Sequence, residues 1–105
     1  MTLVDLQELF SDSLSLTREE ISKLDKQALV ENAHGDPKLP RRERNIQAIR
    51  NNLLLSMIEW NEIDHDSLLD RWYFITSRAI ELGDFCPDLA KVHMLGVEHV
   101  LSLRS

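Results

Sequence analysis

Cysteine, glycine and proline are all scarce in this chain of 105 residues, which holds one cysteine, three glycines and three prolines. A lone thiol, Cys86, can close no intramolecular disulfide and can supply no thiolate cluster for a metal ion. So few glycines and prolines leave room for few turns, and the chain must consist of a small number of long elements. Long apolar runs are missing as well. The densest, Leu53 to Ile58, is interrupted by Ser56 and is far too short to cross a bilayer. The segment Met1 to Phe10 carries Asp5 and Glu8 with neither a basic start nor an apolar run, so no signal peptide is expected there and the protein reads as cytoplasmic. Glycine-rich phosphate loops, nucleophile elbows and zinc-finger spacings are absent. No enzyme activity, cofactor or metal ion is expected on these grounds.

What is present is helical. The apolar fraction of 43% and charged fraction of 29% describe one globular domain over residues 1–105. No stretch alternates apolar and polar residues long enough to suggest a strand. The clearest signal is Leu16-Thr17-Arg18-Glu19-Glu20-Ile21. Thr17 and Glu20 have capping-box spacing, Leu16 and Ile21 the spacing of a hydrophobic staple, and the two glutamates suit the positive end of a helix dipole.

A short N-terminal helix is expected over about Leu3 to Phe10, and a second helix from Thr17 to His34, stopped by Gly35. Asp36 to Pro40 reads as a turn. A third helix runs from Pro40 to Trp60, with Ile46, Ile49, Leu53, Met57 and Trp60 on one stripe; it is taken as the backbone of the core. Asp64 to Ser67 supplies caps for a fourth, over Ser67 to Leu82, expected to bury Leu68, Leu69, Trp72, Tyr73, Ile75, Ala79, Ile80 and Leu82. A fifth begins at Pro87 and buries Leu89, Val92, Gly96, Val100 and Leu103. The fold class is therefore all-α, a small antiparallel bundle of four main helices plus a short N-terminal helix.

Few polar residues gather in a way that suggests chemistry. Glu62 and His65 have the Glu-x-x-His spacing of di-iron bundles, but no second pair exists and His65 falls in a turn. The acids around them lack the central glycine and terminal glutamate of a calcium loop, so helix capping accounts for them. His93 and His99 project about 120° apart on their helix and cannot act together. His93 reads as a boundary histidine with a satisfied hydrogen bond, and His34 as a partner of a helix C-terminus. Cys86, flanked by Phe85 and Pro87, reads as a partly buried and inert thiol.

Charge is the most uneven property. The net charge is −6, divided as −5 over residues 1–37, +4 over 38–50 and −5 over 51–105. The basic island consists of Lys38, Arg41, Arg42, Arg44 and Arg50. Arginines crowded at a helix start face the positive dipole end, which costs a little stability. Arg41, Arg44, Asn51 and Leu55 share a side opposite the apolar stripe, and Phe74 is an aromatic on the polar side of its own helix. An ordinary solvated face explains such charges, since surface ion pairs contribute little. The functional reading is a partner surface made of Arg41, Arg42, Arg44, Asn51, Leu55 and Phe74, suited to a protein with an acidic surface or to a second copy of the chain. The expected class is a small protein-binding module such as an inhibitor, adaptor, chaperone or immunity-type regulator. The alternative is a nucleic-acid-associated regulator using the basic helix start, which the flanking acids disfavour. A metal carrier or enzyme built on Glu62, His65 and Cys86 comes third.

Overall fold

A computed structural model describes residues 1–104. They form six helices and no strand: α1 (Leu3–Leu9), α2 (Arg18–Ser22), α3 (Lys26–Glu31), α4 (Arg41–Glu62), α5 (His65–Leu82) and α6 (Asp88–Ser102), with short 3₁₀ turns at Ser13–Ser15 and Gly83–Phe85. The all-α reading holds. Among the described residues no helix is long and apolar enough to cross a membrane.

Local chemistry fixes most helix starts. Thr17 accepts a hydrogen bond from Glu20 N–H while the Glu20 carboxylate accepts from Thr17 N–H, the reciprocal box expected from the sequence. Thr2 and Asp5 repeat it at α1. At α5, Asp64 accepts from both the backbone and the hydroxyl of Ser67. Thr17→Ala is therefore expected to lower stability by about 0.5–2 kcal/mol, the usual cost of a lost N-cap, as read by urea denaturation. All three cap carboxylates are held below their ordinary values of 3.8 and 4.5. The backbone N–H of Thr2 or Thr17 is the main cause at Asp5 and Glu20, and the Ser67 hydroxyl at Asp64. A depressed carboxylate stabilises the fold at neutral pH, and that contribution disappears as pH falls through and below its ordinary value.

Three expectations need correcting. The second helix does not run unbroken from Thr17 to His34; it stops at Ser22 and restarts at Lys26. Asp25 is the reason, because its side chain accepts from Ala28 N–H and makes a new N-cap. The break lets α3 fold back against α4.

Second, α4 is not alone at the centre. Helix α6 packs against α1, α4, α5 and the Ser13–Ser15 turn, whereas α4 packs against α2, α3 and α6. Val92, Val97 and Val100 are fully buried, with Leu95 nearly so, and Leu53, Met57 and Trp60 meet them from α4. Gly96 makes that contact close: a Cβ there would overlap Leu53 Cδ1 and lie 3.3 Å from Trp60 Cζ3.

Third, the buried faces are narrower than expected: Leu89 at the start of α6 is 39% exposed, and α5 buries only Leu68 and Ala79, with Trp72, Ile75 and Leu82 half-buried. Tyr73 is 70% exposed and Ile80 76%, and Leu69 also faces solvent. The molecule measures about 40 × 35 × 20 Å, and α5 lies at one edge of this flat body with α6 as its main support. A helix held from one side buries one narrow stripe.

Candidate functional site

The start of α4 is built by a proline and a glycine. Pro40 is the N-cap, with φ −54° and ψ 151°, and its side chain can offer no hydrogen bond. Gly35 takes φ +83°, a left-handed conformation that favours glycine, and places its backbone against the carbonyl of Arg44. Asp36 N–H then donates to Gln47 Oε1 at 2.7 Å. These contacts pin the loop onto α4, so that Arg41 and Arg42 open the helix exposed to solvent.

Arg41 and Arg42 line an open groove of about 630 Å³. Its floor is Ile46 and Ile49, both half-buried, with Asn45 beside them. Met1 and Asp88 complete the lining, and there the Met1 amino group pairs with the Asp88 carboxylate at 3.1 Å. Among the described residues Arg41 and Arg42 make no ion pair. Of the nearby acids, Asp88 faces the Met1 amino group and Asp5 is committed to the Thr2 cap, while Glu8, which shares a recess with Arg42, and Glu43 in the same helical turn are exposed. The unbonded N–H groups of the first helical turn add to the positive potential. Two free cations over an apolar floor can hold an anionic group attached to an apolar one.

The residues expected to form one surface fall in three places. Arg41 and Arg42 are in the groove. Arg44, Asn51 and Leu55 lie on the side of α4 that α3 and its following loop cover. Asn51 is 8% exposed, and its amide donates to Asn32 O at 2.9 Å. Its neighbour Asn52 donates to Ala33 O at 3.0 Å. These two amides satisfy carbonyls left open just past the end of α3, so Asn51 is a tie within the fold and not a contact surface. Arg44 is half-buried against Gly35, and Leu55 lines a recess with Lys26 and Val30. Phe74 is 69% exposed on α5, away from both. Arg50, the fifth base of the island, sits over the ring of Phe10 at 5.4 Å, which draws α4 to the end of α1.

The other polar clusters are structural ties. His93 Nδ1–H donates to Leu89 O at 2.8 Å, leaving Nε2 to accept from the Ser56 hydroxyl at 2.9 Å. Ser56 lies inside α4, where neighbouring N–H groups are used by the helix, so the pair has no free backbone donors to hold an oxyanion. It joins α4 to α6. His99 donates from Nε2 to Leu16 O at 2.7 Å. Arg18 grips Asn61 twice, and the Asn61 amide donates back to Arg18 O at 3.2 Å. Glu62 ends α4 and His65 begins α5, so the Glu-x-x-His spacing spans two helices. Among the described residues no three His, Cys, Asp or Glu side chains gather as metal ligands. Cys86 is buried, with Sγ 3.8 Å from Pro87 O.

Met1, Asn45 and Asp88 are the groove residues that the sequence pattern missed, and it assigned Ile46 and Ile49 to the core stripe alone. The usable signal was the overlap of two patterns: the apolar stripe begins at Ile46, one turn after Arg42. No protein-family model, curated protein or solved structure matches the chain.

Proposed function

We propose that this chain is a small cytoplasmic protein-binding module, without catalytic activity, that takes an acidic segment of a partner protein at the start of α4. The observation that carries this reading is the pair of unpaired arginines, Arg41 and Arg42, lining a groove floored by Ile46 and Ile49. Arginines at the positive end of a helix dipole oppose stability, so an anionic partner gives them a use. The preferred segment carries adjacent carboxylates beside a leucine or isoleucine: the carboxylates meet the arginines and the aliphatic side chain covers the floor. Arginine suits this task because its fork can hold a carboxylate bidentately. An inhibitor, adaptor, chaperone or immunity-type regulator would each act in this way.

Nucleic-acid binding is the weaker reading. Arg50 is engaged with Phe10 and Arg44 is half-buried, which leaves Lys38, Arg41 and Arg42 as the exposed bases of the island. A phosphate backbone needs a longer row of cations to offset a net charge of −6.

The test compares full-length baits in a quantitative pull-down from the native extract. The Arg41→Glu, Arg42→Glu variant is expected to retain its fold and to lose the partner by about tenfold or more, mainly through slower association. Phe74→Ala is expected to keep it. Equal recovery with the charge-reversed bait would remove the groove from consideration, and loss with Phe74→Ala alone would transfer binding to α5.

A further inference from the structure

Helix α5 carries an apolar seam that its own fold leaves uncovered. Leu69, Tyr73, Thr76 and Ile80 follow one another at steps of four, three and four residues, the spacing by which one helix packs along another. Three of them are 41%, 70% and 76% exposed, in the order Leu69, Tyr73, Ile80, and Thr76 is half-buried. The seam continues into a recess of about 200 Å³ lined by Leu3, Ile80, Gly83 and Lys91.

We infer that this seam pairs with the same seam of a second copy, the two α5 helices running antiparallel about a two-fold axis between Tyr73 and Thr76. The seam is self-complementary in that direction. Leu69 of one copy meets Ile80 of the other, and Tyr73 meets Thr76. Charge selects the orientation. Asp66 is the next seam position before Leu69, and antiparallel pairing brings it over Gly83 of the second copy, beside Lys91. Neither Asp66 nor Lys91 forms an ion pair within its own chain among the described residues; Lys91 Nζ donates to the neutral Met1 O at 2.9 Å, which leaves its charge uncompensated. Parallel pairing would instead set Asp66 against Asp66, with like charges opposed. Antiparallel helices also align their dipoles favourably. One short seam on an 18-residue helix is a small interface, so a weak, concentration-dependent dimer is expected.

This pairing is independent of the groove at α4 and responds differently to salt. Groove binding weakens as salt screens the arginines, whereas in the dimer the screening of the Asp66–Lys91 pairs is offset by the screening of repulsion between two copies of charge −6, so salt changes it little.

Sedimentation equilibrium of the full chain from micromolar to millimolar concentration tests the inference. A reversible monomer–dimer equilibrium is expected. Ile80→Glu should weaken it by about thirtyfold or more, the effect of disrupting a central apolar contact, with an unchanged thermal melt because Ile80 faces solvent. Asp66→Lys or Lys91→Asp should each weaken it about two- to fivefold, and the two together should restore it. A monomer throughout the range, a dimer indifferent to Ile80→Glu, or a double exchange no better than either single one would overturn the pairing.

Discussion

Leu53→Ala is expected to lower stability by about 2–5 kcal/mol in chemical denaturation, the range for removing a buried leucine. Leu53 is fully buried and occupies the space above Gly96, where α4 and α6 come closest. The lost methyls leave a cavity walled by Trp60 and α6, two elements that cannot collapse without shifting a whole helix. The same contact predicts a rescue. Gly96→Ala in the native background forces its Cβ into Leu53 Cδ1, but in the Leu53→Ala background that overlap is gone, only the 3.3 Å approach to Trp60 Cζ3 remains, and the alanine adds helix propensity. The double variant should therefore be more stable than Leu53→Ala alone. Strict additivity would mean that the two residues do not touch.

Gly35→Val is expected to cost about 2–4 kcal/mol, combining a strained left-handed backbone with an overpacked contact. A Cβ at this position would lie 2.9 Å from Arg44 C and overlap its carbonyl oxygen, and a backbone group cannot swing aside as a side chain would. The damage should be local as well as global. The loop from Asn32 to Asp36 is held to α4 by Gln47, Asn51 and Asn52, so releasing it uncovers those amides and frees the start of the helix. Hydrogen exchange should show faster opening around Asp36 to Arg44 than in α6. Uniform loss across the chain would place the strain elsewhere.

The sequence made the helices legible where a cap and a periodic stripe agreed. Thr17 with Glu20, Asp64 with Ser67 and the stripe from Ile46 to Trp60 each state a local rule, and the fold obeys it. Periodicity gave less about which stripes are covered, because that depends on neighbours. Tyr73 and Ile80 share the apolar character of Leu68 and Ala79, yet α5 has one main supporting helix and only one side is sheltered. Asn51 shows the converse. A polar residue opposite the apolar stripe reads as surface, and only the return of α3 after the Asp25 break makes it an interior amide. The groove lay between these cases. Arg41 and Arg42 stood out by charge, while Ile46 and Ile49 were absorbed into the core stripe. Asp88, far along the chain, could be placed in the same groove only by the packing of α6.

The central claim is that Arg41 and Arg42 recognise a carboxylate beside an apolar side chain. Selection of short random peptides displayed on phage, run in parallel on the native chain and on the Arg41→Glu, Arg42→Glu variant, tests it without a known partner. The native chain should enrich peptides with adjacent acidic residues next to leucine or isoleucine, their binding should weaken as salt rises, and the variant should not retain them. Enriched peptides without acidic residues, or acidic peptides held equally by both proteins, would contradict the account.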